Sequence, residues 1–144
     1  MAAIGRRSLL AGLAGLPALL RAEVRDELRE VLAGMATSLS AGNISAFMSS
    51  IDKNMVGYNR MRADLVGMVQ ATEVQSSIEI QTNSGDGEKQ SAKVDWYLQL
   101  RGRTDGAVTN QKRELLTIEF TRTGKKKKWI VSKIDPWEFF STSE

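Results

Sequence analysis

Apolar and polar positions change rhythm once along this chain, and the change separates a helical part from a strand part. From Glu23 to Leu39 the residues Val24, Leu28, Val31, Leu32, Met35 and Leu39 recur at three- and four-residue intervals with charges between them. That is the period of an amphipathic helix. Gly42 stands where a left-handed C-cap is expected, and Asn43 can cap a second, shorter helix through Ile44, Phe47, Met48 and Ile51. Residues 52–57 read as a connector. A third helix is predicted from Tyr58 to Thr72, with Tyr58, Met61, Leu65, Met68 and Val69 on one stripe. Beyond it the period becomes two. Ser76, Ile78 and Ile80 alternate with Gln75, Ser77 and Glu79, and further strands are predicted at 90–101, 111–123 and 129–135, the last stopped by Pro136. Turns at 83–87, 102–110 and from Gly124 join them as short hairpins, which implies an antiparallel meander. Helices first and strands afterwards indicate an α+β fold: one domain, with three N-terminal helices packed on one face of a four-stranded sheet.

The first 22 residues stand apart. Arg6-Arg7-Ser8 precedes an apolar run of twelve residues, Leu9 to Leu20, the layout of a secretory leader. A membrane-spanning helix needs about 20 apolar residues, so the run is too short for a stable anchor. The arginine pair followed by Ser8-Leu9-Leu10 resembles the twin-arginine export signal of bacteria. Residues 1–22 are therefore read as an export signal cleaved after Ala22, and residues 23–144 as the working domain, in a periplasmic or secreted location.

Charge has to be judged after that division. The chain carries 20 Lys and Arg against 17 Asp and Glu, and Arg6, Arg7 and Arg21 make up the whole excess. The remaining domain is electrically balanced, and no bulk charge argues for nucleic acid as a partner. Cysteine and histidine are both absent, which removes disulfides, thiol chemistry, the usual neutral-pH base and the commonest metal ligand. No cofactor and no metal site is expected. The run Lys125-Lys126-Lys127-Lys128 reads as a solvated hairpin tip that discourages strand pairing, or else as a contact for phosphate or anionic lipid.

The order helix, short helix, helix, meander resembles the nuclear-transport-factor-2-like superfamily, the cystatin-like cone fold. Four stretches carry the resemblance: Ser40 to Phe47, Tyr58 to Leu65, Ala92 to Leu100, and Lys128 to Val131. It covers roughly Glu23 to Phe140 and implies a cone-shaped domain whose sheet is curved. Members of that superfamily include ketosteroid isomerase, dehydratases, cyclases and transport factors, so the likeness implies a fold rather than a chemistry.

Isomerase-type catalysis needs a carboxylate base and a neutral hydroxyl donor beside a buried substrate. Asp52 and Tyr58 are the candidates, with a connector and a packing role as the respective alternatives. Asp95 and Tyr97 have suitable chemistry but alternate with Val94, Trp96, Leu98 and Leu100, and so belong on the outer face. Tyr58, Trp96 and Phe120 are candidates to line a cavity for a small apolar ligand. Tyr97, Leu115, Trp129 and Val131 are expected to form an apolar patch on the outer sheet face, where a homodimer would join. The preferred reading is an exported, non-catalytic cone-fold protein; the alternatives are an isomerase or dehydratase and an envelope interaction module.

Overall fold

The computed structural model describes residues 17–124 and 127–141; residues 1–16 of the expected leader, and Lys125 and Lys126, lie outside them. Helix α1 runs Ala18–Ser40, α2 Ile44–Met48 and α3 Tyr58–Ala71. Strands β1 Thr72–Gly85, β2 Lys89–Gly102, β3 Val108–Thr121 and β4 Ile130–Asp135 follow, and a 3-10 turn at Trp137–Phe140 ends the fold. The sheet is a four-stranded antiparallel meander in the order β1-β2-β3-β4. The α+β architecture read from the sequence is the one observed.

Local chemistry accounts for the helical part. The residues buried along α1 are Val24, Leu28, Leu32, Met35, Ala36 and Leu39, and those of α3 are Met61, Leu65, Met68 and Val69. The helix begins at Ala18, before Glu23, but Leu19 is 81% exposed and burial starts only at Val24. At its far end Gly42 takes φ +75°, with Asn43 N–H donating to Ser38 O (2.8 Å) and Gly42 N–H to Leu39 O (3.0 Å). These two bonds form a Schellman cap, which only a residue tolerant of left-handed backbone closes cheaply. Asn43 Oδ1 then accepts from Ala46 N–H at 3.0 Å and opens α2.

Alternation along the strands sets the inner face. Val94, Trp96, Leu98 and Leu100 of β2 and Leu116, Ile118 and Phe120 of β3 are all buried on the helix side, with Val94 paired to Leu116. Three register shifts interrupt the ladder, between Ile80 and Thr82, Leu100 and Arg101, and Glu119 and Phe120. Each unpaired residue bends the sheet around the helices. Both outer edges carry attachments. Val131 N–H donates to Ser50 O and Asp52 N–H to Val131 O, each at 2.8 Å, along β4, while Ser76 N–H of β1 donates to Ser40 Oγ at 3.1 Å.

The third bulge corrects part of the outer patch. Glu119 pairs with Lys133 but Phe120 pairs with Val131, so Ser132 is the extra residue. Val131 therefore turns to the inner side with Phe120 and is fully buried, and Trp129 is buried at 3% exposure. Neither residue contributes to the outer face; Tyr97 and Leu115 remain there.

Two glycines give opposite expectations. Gly34 lies inside α1 with nothing within 4 Å of an added Cβ, so Gly34→Ala should raise stability by about 0.5–1 kcal/mol through backbone entropy alone. A urea or thermal melt reads this directly. Gly57 has φ +83°, and an added Cβ would overlap the ring of Trp137. Gly57→Ala should lower stability by about 2–4 kcal/mol in the same melt.

Candidate functional site

The place to look for a ligand in a sheet curved over helices is the space between them. Here side chains fill it. Trp96 of β2 and Phe120 of β3 are fully buried, and Trp96 meets Phe47 of α2 edge-on at 6.4 Å between ring centroids. Phe140, from the C-terminal 3-10 turn, lies 5.0 Å from Trp96 at 90° and 5.6 Å from Phe47. Such edge-to-face pairs add about 0.5–1.5 kcal/mol each beyond their buried area. The indole N–H of Trp96 donates to Ser76 Oγ at 2.7 Å. Among the described residues every buried side-chain nitrogen or oxygen has a hydrogen-bond partner. Trp96 and Phe120 are packing residues of this core.

The C-terminal turn is held from outside. Lys112 Nζ donates to Phe139 O (3.2 Å) and Ser141 O (2.7 Å), and Ser141 Oγ donates to Asp64 Oδ2 at 2.6 Å. These bonds secure the segment that brings Phe140 inside.

The catalytic candidates do not meet in an open cavity. Tyr58 begins α3, half-buried against the core. Asp52 sits in the connector, where its Oδ1 accepts from Asn54 N–H at 2.8 Å, an Asx turn. It borders a surface groove with Glu88, Lys89, Arg122, Lys127 and Lys128, and Tyr58 is not part of that wall. Among the described residues no group of three or more Asp or Glu is placed to hold a metal ion.

Outside the sheet, polar groups pair across strands. Arg113 donates to Asp95 through Nε (3.1 and 3.2 Å) and Nη2 (2.7 Å), and Lys93 Nζ donates to Thr117 Oγ1 at 2.7 Å. The Arg113 hydrogen bonds hold the Asp95 carboxyl below its ordinary value of 3.8. Tyr97 is half-buried on this face with its hydroxyl accepting from Gln99 Nε2 (3.3 Å), and Leu115 is 54% exposed. Asp95, Arg113, Lys93 and Leu115 border a shallow groove of about 540 Å³.

A network invisible in the sequence ties α1 to two of the three hairpins. Glu27 Oε1 accepts from Arg122 Nη1 (3.1 Å) and from the Trp129 indole N–H (3.0 Å). Arg122 also donates from Nε to Gly87 O (2.8 Å) and stacks 4.1 Å above the Trp129 ring. Its side chain is only 5% exposed, against 44% for Glu27.

No family model matches the chain, and no curated protein does. Solved structures do. A conserved protein from Planctomyces limnophilus superposes with a TM-score of 0.70 at 12% identity, covering 79% of this chain and 94% of its own. A nuclear-transport-factor-2-like protein from Shewanella oneidensis gives 0.59 at 10% identity over 76% and 95%. A protein with a cystatin-like fold from Nostoc punctiforme gives 0.55 at 15% identity over 83% and 91%. The chain has the nuclear-transport-factor-2-like, cystatin-like fold. At these identities the likeness extends to the fold alone. The cone in this chain is closed by its own aromatic residues, and its distinctive polar chemistry lies outside it.

Two measurements test this division. Arg122→Ala should cost about 1–3 kcal/mol in a denaturant melt, since it strips the cover from Trp129 and removes the cation from Glu27, which keeps only the indole N–H. The second concerns acid. A carboxyl held below its unfolded value stabilises the fold above that value and loses the contribution as pH falls through the lowered one. Wild-type stability should therefore drop below about pH 4 partly through Asp95, and Asp95→Asn should flatten that part of the melting-temperature profile between pH 5 and 2.

Proposed function

We propose that this chain is an exported, non-catalytic cone-fold protein that works as a homodimer joined through the outer sheet faces. One observation carries the reading: the interior is occupied by Phe47, Trp96, Phe120 and Phe140, while the outer face keeps an exposed leucine beside a tyrosine. An interior without space for a substrate moves the protein's work to its surface. The charges of that surface favour a second copy as partner. Asp95 and Glu79 lie with Arg113 and Lys93 on one face, so two copies related by a two-fold axis can set acid against base. Tyr97 and Leu115 supply the apolar centre that such an interface needs.

Export rests on the leader motif and on its boundary with the packed domain. Burial begins at Val24, so cleavage after Ala22 would leave the described core untouched. No described helix is long and apolar enough to cross a membrane.

Sedimentation of residues 23–144 tests the interface. A dimer at tens of micromolar is expected, and Leu115→Lys should yield a monomer with an unchanged circular dichroism spectrum. A monomeric wild type would remove the reading. For export, replacing Arg6-Arg7 with two lysines should retain the unprocessed chain in the cytoplasm of a bacterial host, as immunoblots of cell fractions would show.

A further inference from the structure

A groove of about 470 Å³ separates α1 from the β3–β4 hairpin, and neither the core nor the outer face uses it. One wall is the stripe Glu27, Glu30, Val31 and Gly34, four positions on a single helix face. The rest of the lining is Ser49 and Ser50, just past α2, with Arg122 and Lys127 to Ile130. Within it the Trp129 indole is bonded to Glu27 and covered by the Arg122 guanidinium. Val31 and Ile130 add half-buried apolar surface. Gly34 leaves a notch in the helix wall, with open space where a side chain would stand. A glycine in mid-helix is destabilising relative to alanine, and this one opens the groove.

The charges are unevenly committed. Glu27 already serves Arg122 and Trp129, whereas Lys127 and Lys128 are exposed and form no ion pair with a described carboxylate. Glu30 lines the groove from α1 and disfavours an anion beside it, which leaves the lysines as the place for one. We infer that this groove binds a single-chain amphiphile with an anionic head, the head at Lys127 and Lys128 and the apolar tail along Val31, Gly34 and Ile130. The volume lies within the roughly 300–1,000 Å³ of ordinary small-molecule sites. Each methylene taken from water strengthens binding roughly fourfold, and each lysine near the head about fivefold. The inference stands apart from the proposed dimer, whose face is on the other side of the sheet.

Calorimetric titration of residues 23–144 with dodecanoate and with dodecyl phosphate, both below their micellar concentrations, tests it. Both should bind; a preference of tenfold or more for dodecyl phosphate would assign the head to phosphate, and parity would assign it to any anion. Gly34→Leu, which fills the notch from the solvent side, should weaken both at least tenfold without lowering the melting temperature. Should that variant fail to fold, Lys127→Gln with Lys128→Gln alters only exposed side chains and should weaken both to a similar extent. Equal affinity for dodecyltrimethylammonium would overturn the anionic head. Inorganic phosphate binding as tightly as its dodecyl ester would overturn the tail, and full binding by folded Gly34→Leu would overturn the site.

Discussion

The contact between Trp96 and Phe140 is the constraint on which the rest of this molecule depends. One ring comes from the middle of the central hairpin and the other from the last turn of the fold, and they meet at right angles inside the cone with Phe47 beside them. Interiors are packed as densely as organic crystals, so a space filled by three aromatic side chains has no room for a guest. Everything outside follows from that closure. Lys112 and the Asp64–Ser141 pair have to hold the final turn, because without it the cone would stand open on an apolar hole.

Much of this was legible in the residue pattern. Val94, Trp96, Leu98 and Leu100 alternate so regularly that their facing, and the opposite facing of Asp95 and Tyr97, needed only the period of a strand. Gly42 and Asn43 announced the break between the first two helices by backbone tolerance and capping chemistry. The cone fold itself was visible in the order of elements, and the similar solved structures share it.

What escaped has physical reasons. Trp129 and Val131 are expected on the outer face, and the expectation fails because Ser132 is a bulge that no side-chain property marks. Pairing of Glu27 with Arg122 joins residues far apart in the chain, at the junction of a helix and two hairpins, and no local period carries that information. Trp96 and Phe120 were legible as core but not as a filled core, since the difference lies in where Phe140 ends up. Whether a connector carboxylate such as Asp52 faces a cavity or closes its own turn is likewise a matter of three-dimensional path.

The attachments along the outer strands have a consequence for assembly. Val131 already exchanges backbone hydrogen bonds with Ser50 and Asp52, and Ser40 occupies an amide of β1. Each end of the sheet thus has one position, Ser76 or Val131, already occupied at its outer edge. The homodimer proposed above would join broad side to broad side, and a pairing of that kind consumes its own surface and stops at two. Edge-on stacking, by contrast, regenerates a fresh edge with every copy and grows into a fibre. A dimer of the proposed kind would therefore be a finite complex and not an open polymer.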